Sequence, residues 1–246
     1  MKFSIDAIEV NKDTNVGYTI TPIYDKGKIP KELKELKGLE IVSDIDNSIK
    51  VDYQNKTLIA LKDTNLTLTA KIGNIISNPQ ILNVYWEVNA HRLPPEPDSK
   101  VNNSTLLGVD VNHNGVRDDV ERIIYRWYSK KHPIYIAIAM EAAKSYQMSL
   151  MGPAHYEEAH KLIGDVTSCE SYYSIEVYAS FSGEKALINK DESPSADGLL
   201  LQVLNTKARA RAYAEYDKLL SGSVYDLPKI EDMKKGCPQS IREVLK

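Results

Sequence analysis

Hydrophobic and polar positions alternate with a period of two through residues 1–92. Because successive side chains of a strand point to opposite faces of a sheet, this alternation predicts half-buried β-strands. Residues 53–56 (Y-Q-N-K) and 73–74 (G-N) carry the residue types of hairpin turns. Seven segments fit the pattern: F-S-I-D-A-I, Y-T-I-T-P-I-Y, L-E-I-V, S-I-K-V-D-Y, T-L-I-A-L, L-T-L-T-A-K-I and L-N-V-Y-W-E-V.

Seven short strands within about ninety residues favour an immunoglobulin-like β-sandwich, with residues 1–92 as its domain. The cysteine pair of antibody domains is missing, so the likeness concerns architecture only. Domains of this kind more often bind or separate other molecules than catalyse. Residues 30–38, P-K-E-L-K-E-L-K-G, break the alternation. Their opening Pro, the helical spacing of Leu33 and Leu36, and the closing Gly predict one short surface helix.

A proline-rich linker, residues 93–109, follows the predicted sheets. Pro94, Pro95 and Pro97 favour extended backbone and interrupt both strands and helices. Beyond the linker the hydrophobic period becomes that of helices, so we expect a helical domain over residues 110–246. The expected fold class is therefore α+β, with a β-sandwich followed by an all-α domain.

Several helices are predicted in this second domain. In the first, Val116, Val120, Ile124 and Trp127 share one face. The second, residues 133–152, is apolar on nearly all sides, and we expect it to be the central buried helix. The remaining helical segments are residues 153–178, 195–222, 228–235 and 238–245.

One stretch interrupts this scheme: D-V-N-H-N-G-V-R-D-D-V-E, residues 110–121. It matches every constrained position of the calcium loop D-x-[DN]-x-[DN]-G-x₅-E and so resembles an EF-hand loop. Gly115 stands where the chain must turn sharply, in a left-handed conformation that Gly adopts at little cost. The resemblance implies a Ca²⁺ ion held by side-chain oxygens and one carbonyl, from Asp110, Asn112, Asn114, Val116 (the carbonyl), Asp118 and Glu121.

The resemblance departs from the full motif in two ways. The residues before the loop are too turn-like for an entering helix, and Arg117 stands where the family has an aliphatic residue that pairs with a second loop. The sequence has no second loop. A single loop is a poor cooperative sensor and is more similar to loops that stabilise structure at the millimolar calcium found outside cells. We expect the ion to hold the end of the linker and to set the angle between the domains.

A helix cap is the alternative interpretation of this stretch. Acidic residues in a first helical turn favour the helix dipole, which would explain Asp118 and Asp119. It would not explain Asn112, Asn114 and Glu121 at their spacings. The wider segment, from L-P-P-E-P-D to D-D-V-E-R, also resembles a segment of exported bacterial proteins of unknown function. That resemblance implies a periplasmic or cell-surface location.

The two cysteines bear on the compartment as well. Cys169 and Cys237 are 68 residues apart and are too few for a zinc site by themselves. They form either a disulfide or two buried thiols, and the calcium loop favours the disulfide, since both belong outside the cytosol. Residues 63–67, D-T-N-L-T, also resemble the extended acceptor of bacterial N-glycosylation, which would modify Asn65.

Composition excludes some classes of function. The 31 Lys and Arg residues are spread along the chain and the net charge is −3, which argues against a nucleic-acid surface. No apolar run reaches the length of a membrane span, and the first ten residues lack the apolar region of a signal peptide. The chain is therefore either cytosolic or the mature part of an exported protein. A removed N-terminal segment would be compatible with a lipid anchor.

Other candidate sites are weaker. His155 and His160 are five residues apart, not the four of zinc proteases, so a solvated helix start is favoured over a metal site that includes Glu158. Arg209 and Arg211 are expected on a solvated helix face, with an anion site as the alternative. The sequence thus predicts a calcium-binding exported protein that binds a protein or glycan without catalysis. A hydrolase and a spacer in a surface assembly are the alternatives.

Overall fold

The computed structural model describes most of the chain, and contacts between residues divide it into two compact units. The first is Met1–Glu96 and the second is Pro97–Lys246. The first is rich in strands and the second is helical, so the α+β class is confirmed at that level. The residues that the structure describes are 1–23, 36–173, 196–220 and 228–244.

Two antiparallel-rich sheets build the first unit. One has the strand order β1-β3-β6-β5, and the other has the order β2-β9-β7-β4 with β8 added to β7. β2 and β9 pair in parallel, while β10 and β11 form a separate hairpin. The strands are β1 Lys2–Ile5, β2 Glu9–Asn11, β3 Asn15–Thr21, β4 Leu39–Ser43, β5 Ile49–Asp52, β6 Thr57–Ala60, β7 Asn65–Ile72, β8 Ile75–Ile76, β9 Gln80–Tyr85, β10 Glu87–Val88 and β11 His91–Arg92.

The sequence pattern located these strands well. Each of the seven predicted segments contains a strand, and residues 53–56 and 73–74 are turns. The last predicted segment, residues 82–88, covers β10 and part of β9, whereas β2, β8 and β11 are short additions of two or three residues, too brief to show alternation. The helix expected at residues 30–38 lies largely outside the described residues. Of its span only residues 36–38 are described, and they form a turn.

Alternation along β7 explains how the sheets form a core. Leu66, Leu68 and Ala70 are 0 % exposed, while the intervening threonines face outward. Burying a Leu side chain stabilises the fold by about 2 kcal/mol. Strands of both sheets contribute to one hydrophobic cluster, which includes Phe3, Val10, Val16, Tyr18, Ile41, Leu58, Ala60, Leu66, Leu68, Ala70, Leu82 and Val84.

Helices pack around one central helix in the second unit. That helix is α3, which contacts α2, α4, α5, α6 and α8 and buries residues on most of its sides, as its sequence predicted. Its N-terminus begins with Pro133, and the His132 side chain accepts a hydrogen bond from the Ile134 amide. The helices are α1 Ser99–Asn102, α2 Asp118–Tyr128, α3 Pro133–Ser149, α4 Tyr156–Tyr172, α5 Ala196–Val203, α6 Lys207–Leu220, α7 Ile230–Gly236 and α8 Gln239–Glu243.

Two helix predictions were wrong in detail. The helix expected over residues 195–222 is two helices, α5, which ends at Val203, and α6. Thr206 caps the start of α6, since its hydroxyl accepts a hydrogen bond from the Arg209 amide. Trp127 was placed on the buried face of α2 but is 41 % exposed. Its ring packs edge-on against Tyr128 instead.

The segment expected as a linker has some structure of its own. Residues 99–102 form α1, a single turn whose first amides donate to the Asp98 carboxylate. Residues 103–109 then run without helix or strand to the acidic loop. Within the described part of the chain, no helix is long and apolar enough to cross a membrane.

Candidate calcium site

The acidic loop lies in the second unit, directly before and within the first turn of α2. Gly115 has φ +86°, the left-handed backbone that its place in the motif requires. A Cβ atom at this position would also lie 3.2 Å from the Lys144 side chain of α3. A larger residue at position 115 would therefore be both strained and crowded.

Asp110 holds the turn together from its first position. Its carboxylate accepts hydrogen bonds from the backbone amides of Asn114 (3.2 Å) and Gly115 (3.0 Å), one on each oxygen. The loop thereby curls around the first acidic side chain. Since a carboxylate has about four acceptor sites, both oxygens keep capacity for a cation.

The two asparagines and the last glutamate of the motif come together. The side-chain amides of Asn114 and Asn112 both donate to Oε2 of Glu121, at 2.8 and 3.1 Å. Glu121 is 0 % exposed although it lies in the first turns of α2. The Asn114 side-chain oxygen in turn accepts from the Val116 amide at 2.8 Å. Side chains from the third, fifth and twelfth positions of the loop are thus in direct contact.

Asp118 is the most perturbed acid in this loop. It is 0 % exposed, and its carboxylate accepts from the Val111 amide at 3.1 and 3.3 Å. Burial, and to a lesser extent the charges of Asp110, Glu121 and Asp119, raise the pKa of Asp118 to about 6, against the opposing effect of the Val111 hydrogen bond. A buried acid that is costly to ionise is stabilised in its charged form by an adjacent cation.

A helix cap alone does not account for this arrangement. The N-cap residue of α2 is Arg117, and its side chain makes no capping hydrogen bond to the helix amides. Asp118 accepts from a loop amide rather than from its own helix. Within the part of the chain that the structure describes, no three His, Cys, Asp or Glu side chains already surround a metal-sized point. Carboxylates would have to move inward to hold an ion.

Arg117 fixes the loop to the rest of the helical unit. Its guanidinium is 0 % exposed, pairs with Asp119, and donates to the carbonyls of Gln202 (3.0 Å) and Val203 (3.2 Å). These are the final carbonyls of α5, which a continuing helix would have used as acceptors. This explains why the expected single helix is interrupted after Val203.

Arg209 was expected on a solvated face, and that prediction was wrong. Its side chain is 0 % exposed and donates to the carbonyls of Asn102 (2.5 Å), Thr105 (3.1 Å) and Leu106 (2.9 Å). It thereby satisfies the backbone of the irregular segment that leads into the loop. Arg211, two residues further along α6, is exposed as expected.

Gly108 fits between the two arginines. Its φ is +66°, and a Cβ there would lie 2.2 Å from Cδ of Arg117 and 2.9 Å from a guanidinium nitrogen of Arg209. One weak signal of this cluster is visible in the sequence: Arg117 stands at a position where calcium loops have an aliphatic residue. Nothing local indicated that Arg209 would join it.

The histidine candidates do not form a site with Glu158. His155 ends a short 3₁₀ turn, Pro153–His155, and His160 lies on α4. Glu158 lines a groove of about 320 Å³ between α3 and α4 together with charged and apolar side chains, neither histidine among the lining residues described. The convergent pocket that would have favoured a hydrolase is not seen at these residues.

The disulfide between Cys169 and Cys237 is present. Cys169 lies in the last turns of α4 and Cys237 directly follows α7, with 4.9 Å between their Cα atoms. Both are buried within the same hydrophobic cluster as α3. The bond links the C-terminal helices to the centre of the unit.

Comparison with known proteins does not place the chain in a family. No family model, no curated protein and no solved structure matches it.

Proposed function

We propose that the protein binds a calcium ion through the loop at residues 110–121 and that the ion stabilises the helical unit. The observation that carries this proposal is the contact among Asn112, Asn114 and Glu121 around the left-handed Gly115. A helix cap needs neither of these features. A calcium loop needs the sharp turn at its glycine and needs side chains from positions spread over twelve residues to converge.

The donor set suits calcium in number and in kind. Calcium takes six to eight oxygen ligands and tolerates irregular geometry. The two asparagine amides that now donate to Glu121 would turn their oxygens to the ion, and the cation would replace their N–H groups beside that carboxylate. It would also neutralise the buried Asp118. The oxygens would come from Asp110, Asn112, Asn114, the Val116 carbonyl, Asp118 and Glu121.

An exported location, periplasmic or on the cell surface, goes with this proposal. A disulfide persists in oxidising compartments and is rare in the cytosol. A single loop fits a permanent structural ion at the millimolar calcium outside cells better than a sensor of cytosolic calcium. We therefore infer a non-catalytic module that binds a protein or a glycan.

We also infer that the first unit is an immunoglobulin-like sandwich. In that fold, strands A, B, E and D form one sheet and C, F and G form the other. The order β1-β3-β6-β5 corresponds to A-B-E-D if β1 is A, and the order β9-β7-β4 then corresponds to G-F-C. The shared hydrophobic cluster of both sheets supports face-to-face packing. This architecture is common among modules that bind.

Calorimetry tests the calcium proposal. With chelator and then with about 10 mM calcium, a site with a Kd of about 0.1 mM would stabilise the folded state by about 2.7 kcal/mol. We expect this gain to disappear in Glu121→Gln, since the twelfth position supplies the bidentate ligand. Glu157→Gln is the matched control, because Glu157 is exposed on α4.

Two outcomes would contradict the proposal. One is a melting temperature that does not change at any calcium concentration, even about tenfold above the 10 mM of this experiment. The other is an equal calcium gain in Glu121→Gln and in the control, which would indicate binding elsewhere. A direct titration by isothermal calorimetry should give one calcium per chain and should fail for the Glu121 variant.

A further inference from the structure

The acidic loop contains the one Asn-Gly pair in the sequence, Asn114 followed by Gly115. In such a pair the backbone nitrogen of glycine can attack the side-chain amide of asparagine, because glycine has no Cβ to obstruct the approach. The attack forms a cyclic imide and releases ammonia. Its rate depends on three atoms: the nitrogen that attacks, the oxygen that takes up negative charge and the amine nitrogen that leaves. In this loop each of the three makes a hydrogen bond.

The attacking nitrogen lies against a base. The Gly115 N–H donates to Oδ2 of Asp110 at 3.0 Å. A base that takes a proton in a reaction must lie within hydrogen-bond reach of the atom that carries the proton, and this contact meets that condition. Asn114 and Gly115 are both half-buried, so water still reaches the pair. Asp110 is therefore placed to take the proton of the Gly115 nitrogen as that nitrogen attacks.

The oxygen and the amine of the Asn114 side chain are held as well. Its Oδ1 accepts from the Val116 amide at 2.8 Å, and its Nδ2 donates to Oε2 of Glu121 at 2.8 Å. The bond to Val116 folds the side chain back over its own backbone, toward the attacking nitrogen. A backbone N–H in contact with this oxygen also stabilises the negative charge that develops there during the attack. The contact with Glu121 keeps the amide from rotating away.

We propose that the calcium-free loop deamidates itself at Asn114. The Gly115 nitrogen forms a bond to Cγ of Asn114 and gives its proton to Asp110. The bond between Cγ and Nδ2 then breaks, and ammonia leaves with that proton, so the Asp110 carboxylate is restored. Water opens the imide at one of its two carbonyls, which leaves either aspartate or isoaspartate at position 114. Water is the one reagent that the reaction consumes.

The two products differ in what they leave of the calcium site. Aspartate keeps side-chain oxygens at the fifth position, where calcium loops accept Asp or Asn. Isoaspartate adds one atom to the backbone and shifts every later ligand, Glu121 included. An ion bound to Asp110 and Asn114 would engage the oxygens that the reaction uses and would slow it. This protection rests on the proposed calcium site, whereas the reaction of the calcium-free loop does not.

The reaction is followed by tandem mass spectrometry of the tryptic peptide 101–117 after incubation of the full chain at neutral pH with chelator. We expect Asn114 to deamidate at least about tenfold faster in the folded chain than in the same chain unfolded in guanidinium chloride. Asn112 lies in the same peptide and is the internal control, because His113 follows it and hinders the attack. A folded chain that reacts at the unfolded rate, or more slowly, would overturn the inference.

A substitution tests the role of the base. Asp110→Asn keeps an acceptor for the Gly115 amide but cannot take its proton, so deamidation in chelator should slow by at least about tenfold. Glu157→Gln, a change on the exposed side of α4, should react like the unaltered chain. A rate that is unchanged or faster in Asp110→Asn would overturn the proposal, since a carboxylate that only restrained the loop would protect Asn114. If circular dichroism shows this variant unfolded, the comparison of folded and unfolded chains still decides.

A final measurement replaces the chelator by about 10 mM calcium. Deamidation at Asn114 in the folded chain should then be slower than in chelator. An equal rate would overturn the protection by calcium and would count against the proposed ion site. The measurements in chelator are independent of that result, so failure of this inference and failure of the calcium proposal are distinguishable.

Discussion

The two units bury polar groups in different ways. In the described part of the first, the short side chains of Ser48 and Ser77 are buried and hydrogen-bond to the backbone. Buried charged side chains occur, among the described residues, in the second unit alone. They are Arg117, Asp118, Glu121, Arg122 and Arg209.

This difference follows from how each unit satisfies its backbone. Sheets pair their amides and carbonyls with neighbouring strands, so apolar side chains can fill the interior. The helical unit contains an irregular segment, residues 103–117, that no sheet or helix satisfies. The Arg209 guanidinium and the carboxylates of Asp110 and Asp118 satisfy part of it instead. The Arg117 guanidinium serves the last carbonyls of α5. Buried charge should therefore make the second unit more sensitive to chemical conditions than the first.

Removing the disulfide should produce the largest difference between the units. A bond that closes a loop of 68 residues stabilises by about 4 kcal/mol in the chain-entropy model. Reduction, or Cys169→Ala with Cys237→Ala, should lower the protection of α4 amides against hydrogen exchange. Protection of β7 amides should not change. An equal loss in both elements would mean that the two units unfold as one.

The substitution Arg209→Met should produce the second-largest difference in stability between the units. It removes a buried guanidinium that serves three backbone carbonyls, and we expect the second unit to lose about 3 kcal/mol. Urea unfolding followed by helical circular dichroism measures this loss. Arg211→Met is the matched control on the exposed side of the same helix and should change stability by less than about 0.5 kcal/mol. Similar losses in both variants would contradict the role assigned to Arg209.

The smallest effect should appear in the pH dependence, with opposite signs in the two units. The folded pKa of Asp118 is raised to about 6, so between about pH 4 and 6 the folded state holds a proton that the unfolded state releases. Its contribution therefore falls as the pH rises through this window when chelator is present. In the first unit, backbone hydrogen bonds from Thr67 and Asn55 lower the pKa of Asp44 and Asp52, so their contributions are lost as the pH falls.

Hydrogen exchange at pH 4.5 and 7 would separate these contributions by unit. Asp118→Asn should make α2 protection less dependent on pH and leave β7 as before. With calcium bound, α2 protection in the unaltered chain should no longer fall as the pH rises above 4.5, because the cation favours the ionised Asp118 carboxylate. An unchanged pH profile in Asp118→Asn would show that this group does not govern the response.

The sequence determined the parts of the protein that depend on local periodicity. Alternation over residues such as Leu66, Leu68 and Ala70 located the strands, since a strand's two faces differ along a few residues. The 3.6-residue period located α3 and its burial. The glycine at position 115 marked the sharp turn of the loop, because so few residues adopt that backbone.

Only the tertiary structure decided where the charged residues go. Arg209 contacts Leu106 across a sequence separation of 103, and Arg117 contacts Val203 across 86. The residues next to each arginine do not indicate its distant partner. An arginine on an amphipathic helix is therefore expected in solvent until the segment that packs against it is known. The contact between Arg117 and Val203 also accounts for the end of α5 at Val203. Local patterns report which residues prefer burial, whereas polar satisfaction depends on what the folded chain brings next to them.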